Sequence, residues 1–214
     1  PGVTPIVIDN QKAAKLALKH LWDLGHRKIA FFKGPAGNGD TEARWRSMVE
    51  VAREMGITIH PEMIRGLGIF PECNKMLMAE LGYQQAKELL AVTRDFTALM
   101  AFNDGSAIGA IRAFEDAGLH VPHNVSVIGF DDIEQAAFII PRLTTIRQPL
   151  HAMGELAAST LLKRIETGEP ASGEIVMDPE LVIRESTGPV QNGPAVERGR
   201  RTQKTRAQVA AARS

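Results

Sequence analysis

Residues 126–148 read SVIGFDDIEQAAFIIPRLTTIRQ, and this stretch sets the fold class. Val125, Val127 and Ile128 form a buried-strand pattern that stops at Gly129. An aromatic, Phe130, and two adjacent carboxylates, Asp131 and Asp132, come next. The apolar run 136–140 leads to Pro141, and 143–146 is a second β-branched segment. Carboxylates just beyond the carboxyl end of a buried strand stand where open α/β sheets bind ligands. The stretch is therefore expected to carry one side of a ligand site and a hinge. The plainer alternative is a strand followed by a solvated loop.

The pattern repeats on the N-terminal side. Residues 4–8 read as a short extended run, after which Asp9 or Asn10 can cap a helix. Ala13, Leu16, Ala17, His20, Leu21 and Leu24 recur at helical spacing, and Gly25 ends the run. Residues 28–32 form a short apolar strand, and 41–55 a helix that ends at Gly56. Residues 64–70 form a weakly patterned strand, and 77–92 a helix that Gly82 is expected to break. Residues 97–102 are a third buried strand. Asn103 and Asp104 follow it, with Asp104 expected to cap the helix of Ala107, Ile108, Ile111, Phe114 and Ala117. Strand and helix thus alternate about four times, which implies a mostly parallel, doubly covered α/β sheet. Past residue 148, Pro149 opens a helix with Leu150, Met153, Leu156, Ala157, Thr160, Leu161 and Ile165 on one face. Two late strands follow, at 174–177 and 181–184.

Composition narrows the function classes. The 214 residues hold 25 Lys plus Arg and 25 Asp plus Glu, so no global field draws in nucleic acid. A basic segment closes the chain, and 189–214 is expected to be a disordered tail. The lone cysteine, Cys73, allows no internal disulfide and has no nearby histidine to activate it. No apolar run is long enough to cross a bilayer. The loop GPAGNGD at 34–40 fits neither the P-loop nor the dinucleotide fingerprint, though it feeds a helix N-terminus that can accept polar groups. Arg44 and Arg46 lie early in that helix, where cations oppose the dipole. A carboxylate or ligand oxygen near Arg44 would compensate. His20 reads as a core-edge residue.

Taken together, several pieces resemble the LacI/GalR family of bacterial transcriptional regulators. They are LGHRKIAFFKGP at 24–35, ARWR at 43–46, FNDGSAIGAIRAFEDAGLHVP at 102–122, SVIGFDD at 126–132 and PRLTTIRQP at 141–149, with LVIREST at 181–187 closing the match. The resemblance covers about residues 5–187. It implies a periplasmic-binding-protein-like (type I) effector domain of two lobes, joined in the family to an N-terminal helix-turn-helix that this chain does not show. The chain is then expected to hold an effector-binding domain over 5–188, essentially its C-terminal lobe. Residues 9–146 and 174–187 would form that lobe, with 149–168 a helix crossing to the N-terminal lobe.

By the same resemblance, Arg44, Asn103, Asp131 and Gln148 are expected to contact the effector, with Phe70 packing on a sugar face. Asp104 and Asp132 are expected to be structural. Ala107, Ile111, Phe138, Ile139 and Ile140 are expected to form a homodimer surface. The implied partners are a sugar-like effector, a second copy, and DNA only through a domain outside this chain. No cofactor, metal, catalysis or membrane is implied, and the expected location is cytoplasmic. The rival readings are a periplasmic-type sugar-binding protein, which needs a secretion signal, and an α/β sugar-phosphate enzyme, which needs a nucleophile–base pair or a phosphate loop.

Overall fold

A computed structural model describes residues 3–37, 39–68, 75–168 and 173–191. The order is β1 (Ile6–Ile8), α1 (Asn10–Asp23), β2 (Ile29–Lys33), α2 (Gly39–Glu54), β3 (Ile64–Gly66), α3 (Lys75–Val92), β4 (Ala98–Met100), α4 (Asp104–Asp116), β5 (Ser126–Asp131), β6 (Thr144–Arg147), α5 (Leu150–Thr167), β7 (Ile175–Met177) and β8 (Glu180–Val182). Short 3-10 turns stand at Pro61–Met63 and Glu134–Ala137. Asp9 opens α1 by accepting the Lys12 N–H at 2.8 Å. Gly25, at φ +92°, turns the chain out of it.

Six strands form one sheet in the order β3-β2-β4-β5-β6-β8. The first five run parallel, and β8 closes the edge antiparallel to β6. Strand side chains alternate between faces. Ala30, Phe32, Leu99 and Val127 join the core with α3 and α4. Ile29, Phe31, Ala98, Met100, Ile128, Phe130 and Ile146 join the core with α1 and α2. Both faces are dry, which is why these strands read as continuous apolar runs. The chain leaves β2 toward β3 and returns to β4 on the other side of β2. That reversal opens a crevice at the carboxyl ends of β2 and β4.

Two glycines differ from the sequence expectation. Helix α3 runs unbroken through Gly82, because a methyl there would overlap the backbone of Ser106. Gly109 faces the Ala79 carbonyl in the same way, so α3 and α4 meet backbone to backbone. This close packing offsets the helix penalty of about 1 kcal/mol for glycine. Likewise β5 does not stop at Gly129, which pairs with Thr145 inside the strand. A side chain at 129 would overlap the carboxylate of Asp104, so the residue marks a close approach rather than a strand end.

The late segment divides. β7 pairs with β1 in a separate two-stranded sheet, and only β8 joins the main sheet. Residues 174–187, expected to form one piece, are thus divided between two sheets. Alone among the five helices of the described residues, α5 has no buried residue. The chain also stays fixed past 189: Val190 donates its N–H to Leu24 O at 2.9 Å and packs against Gly25. Phe70, Cys73 and residues 192–214 lie outside the described residues.

Candidate functional site

The crevice at the strand ends collects four of the expected residues. Arg44 projects from α2 between two aromatic rings, 3.6 Å from the Phe130 centroid and 4.8 Å from that of Phe102. Its Nη1 donates to Phe102 O at 2.7 Å. Burial lowers the guanidinium below its ordinary pKa, and the charges of Asp131 and Asp40 pull it back. The compensation that an early-helix arginine demands is therefore present. It comes from carboxylates, ring faces worth roughly 0.5–2 kcal/mol, and one carbonyl. Nε of Arg44 and Oγ1 of Thr41 are buried without a hydrogen-bond partner among the described residues. Both line a cavity of about 20 Å³ beside Gly34 and Phe102.

Asn103, rather than Asp104, caps α4. Its Oδ1 accepts the Ser106 N–H at 2.9 Å, and Ser106 Oγ accepts the Asn103 N–H at 3.1 Å. Asp104 occupies the first helical position and is fully buried. Asp131 ends β5 at φ +115°, and Gln148 Nε2 donates to its Oδ1 at 2.6 Å. Asp132, at φ +57°, accepts from Arg147 at 2.7 Å and from Arg184 at 2.6 Å. Burial works to raise the Asp132 carboxyl, but those two bonds outweigh it and hold it below the usual carboxylate range. Asp132 is thus held by two arginines, while Asp131 accepts from Gln148 at the end of the same strand.

The apolar surface divides as well. Ala107 and Ile111 are 0% and 5% exposed and sit in the core against α3, so they offer nothing to a second chain. Periodicity had identified an apolar face of α4, but α3 covers it. Ile139 is partly buried against the same core. Phe138 and Ile140 stand out at 76% and 93% exposed. His20 is half-buried, bonds to Thr187 Oγ1 at 2.9 Å, and lies outside the crevice.

Sequence reasoning missed Phe130 and the Phe102 carbonyl as the clamp on Arg44. The visible signal was an aromatic directly before the carboxylate pair. It also missed Arg147 and Arg184 as partners of Asp132, which no local spacing reveals. Among the described residues, no group of three or more His, Cys, Asp or Glu could hold a metal ion, and no helix is long and apolar enough to cross a membrane.

Comparison with known proteins adds relatives to this geometry. Residues 18–187 match the periplasmic binding protein-like domain. The chain is 36% identical over 204 residues to the HTH-type transcriptional regulator MalR of Streptomyces coelicolor, covering 94% of this chain and 54% of MalR. It spans about half the length of the curated relatives it matches. A LacI family transcriptional regulator from Enterococcus faecium, solved with bound ribose, superposes with TM-score 0.74 at 30% identity, over 88% of this chain and 66% of that one. The lac repressor dimer bound to operator and the anti-inducer ONPF superposes with TM-score 0.75 at 30% identity, over 86% of this chain and 60% of that one.

Proposed function

The chain belongs to the periplasmic-binding-protein-like domains of LacI/GalR-type transcriptional regulators, and from that premise we propose that it binds a sugar-like effector whose occupancy controls operator binding. The supporting observation is the clamped Arg44. A half-buried guanidinium stacked on Phe130 and donating to Phe102 O stands at the reversal point of the sheet. Asn103 and the Asp131–Gln148 pair stand at neighbouring strand ends. A fixed donor fork, an amide and an acceptor carboxylate suit a molecule with several hydroxyl groups. No catalytic step is needed for this role. Phe70 would add the apolar face, and Phe138, Ile139 and Ile140 would form the self-association surface.

In this reading 9–146 and the β8 segment form one lobe, while β1, α5 and β7 belong with a second lobe completed by chain outside the described residues. Effector bound between the lobes shifts their closure, and DNA is contacted through a separate domain. Coupling of this kind is typically worth about 1–3 kcal/mol. A protein in this role would act in the cytoplasm.

The test is thermal-shift screening of the full-length protein against mono- and disaccharides, ribose included, with nucleosides and small acids as the contrasting arms. A ligand that raises the midpoint in the wild type should lose at least tenfold in affinity in Asp131→Asn, read by titration calorimetry. Unchanged affinity in that variant would remove Asp131 from the site.

A further inference from the structure

Asp104 has a place in the fold other than the cap that its sequence position suggests. From the first turn of α4 its carboxylate crosses Gly129 of β5, where only a glycine leaves room. There Oδ1 accepts from Thr145 Oγ1 of β6 at 2.5 Å, and Oδ2 accepts the Ile133 N–H at 2.8 Å. The residue is 0% exposed. Ile133 is the first residue after Asp131 and Asp132, both at positive φ, a conformation that costs non-glycine residues about 1–3 kcal/mol and persists only where neighbours hold it. Beyond Ile133, the turn Glu134–Ala137 delivers the chain to Phe138 and Ile140. On the other side, Asn103 is the residue before Asp104.

We infer, resting on the ligand and self-association surfaces proposed above, that Asp104 is a positioning residue coupling the two. Its one buried carboxyl joins the capped start of α4, β6 and the turn that leads from Asp131 to Phe138. A shift of Asp131 or Asn103 on ligand contact must strain these two bonds or move Phe138 and Ile140 with them. The charged groups facing this carboxyl disfavour its ionised form, while two donors, Thr145 Oγ1 and the Ile133 N–H, favour it. The turn supplies Asp131 and Asp132 as like charges, and β5 supplies Gly129. Arg147 of β6 and Arg184 beyond β8 are both engaged by Asp132. α3 places Met78 against the adjoining Gly105. Burial, aided by Asp131 and Asp132 and opposed by the Thr145 and Ile133 bonds, pushes Asp104 up to about 7. Ionisation should therefore loosen the turn near neutral pH, whereas an asparagine can keep both bonds, its oxygen accepting from Ile133 and its amide donating to Thr145.

The experiment uses the 214-residue chain as wild type, Asp104→Asn, Asp104→Ala and Thr145→Val. Hydrogen exchange of the peptide over residues 131–141 reads the turn, and sedimentation equilibrium at pH 6 and pH 8 reads association. In Asp104→Ala the peptide should lose protection at least fivefold and association should weaken about tenfold. Thr145→Val, which keeps the carboxyl, should show a smaller shift in the same direction. Wild-type association should weaken as pH rises, while Asp104→Asn should hold wild-type protection and lose the pH dependence. Unchanged protection in Asp104→Ala overturns the positioning role, and matching pH profiles in wild type and Asp104→Asn overturn the coupling. If Phe138→Asp leaves association unaltered, the surface reading itself fails, and the exchange result alone decides the role of Asp104.

Discussion

Helices α4 and α5 read alike in sequence, each with apolar residues at helical spacing, yet they end in opposite environments. Eight of the 13 residues of α4 are buried. None of the 18 residues of α5 is. Leu161, Leu162 and Ile165 are 59–71% exposed, and Val176 of β7 is 54% exposed. Periodicity fixes which face of a helix is apolar, but burial needs a partner with a matching surface. α4 finds one in α3, through Gly82 and Gly109. Among the described residues, α5 touches the core of α1 and α2 through Met153, and none of its residues is buried. In the proposed two-lobe arrangement the second lobe supplies its cover.

The sharpest way to break this contrast is Phe114→Ala on α4. The ring is fully buried and stands 5.8 Å from that of Phe96. Its loss should cost about 3–5 kcal/mol in urea unfolding. A cost under about 1 kcal/mol would mean that α4 packs no better than α5.

The pH dependence of stability should separate the α4 region next. Asp104 titrates near 7 in the folded chain and near its ordinary value of 3.8 when unfolded. Between those values the folded state binds more protons, so its contribution to stability is full below about pH 4 and falls as pH rises toward 7. The sign is the reverse of the usual aspartate case. The fall should amount to at most about 4 kcal/mol, and Asp104→Asn should flatten it. Urea unfolding at pH 5, 6, 7 and 8 checks both, and a slope retained in Asp104→Asn would assign the proton elsewhere.

Much of this architecture was legible because local chemistry dictates it. Gly25, Gly56, Gly118 and Gly168 all end helices at positive φ, where their lack of a Cβ counts. The strands showed as unbroken apolar runs because helices cover both sheet faces. The errors fall where a distant neighbour decides. Gly82 and Gly129 looked like breaks, but Ser106 and Asp104 press against them from other elements. Ala107 and Ile111 were assigned to a dimer surface through resemblance, and no sequence pattern reveals that α3 covers them. β7 and β8 are separated by two residues yet join different sheets, and strand pattern alone carries no pairing address. In the site, Arg44, Asn103, Asp131 and Gln148 were assigned through resemblance. Physical chemistry from sequence reached only the strand-end carboxylates and the unfavourable placement of the arginine.

The ion pairs offer a third comparison. Arg184 and Asp132 are 15% and 9% exposed at the side chain, whereas His151 and Glu155 on α5 are 89% and 71% exposed. Arg184→Met should cost about 2 kcal/mol by stranding part of a poorly solvated carboxylate. It should also move acid unfolding to higher pH. The depressed Asp132 contributes above its ordinary value and loses that contribution as pH falls through its lower folded value, a window that narrows once Arg184 is gone. Glu155→Gln on α5 should change nothing measurable, because solvent screens so exposed a pair.

The smallest expected effect carries the most information about α5. Ile165→Ala in this chain should alter the unfolding free energy by no more than about 0.5 kcal/mol, since the side chain is 71% exposed and alanine is the better helix former. A cost of 2 kcal/mol or more would show that α5 packs on something in this chain in solution. The same substitution in the full-length protein should cost several times as much if the second lobe covers α5, because burying an isoleucine side chain contributes about 1.5–3 kcal/mol. Equal, near-zero costs in both would leave α5 solvent-facing in the intact protein and would sink the two-lobe assignment of β1, α5 and β7. The ratio between the two measurements, rather than either alone, distinguishes a helix that lacks a partner from one whose partner lies elsewhere in the molecule.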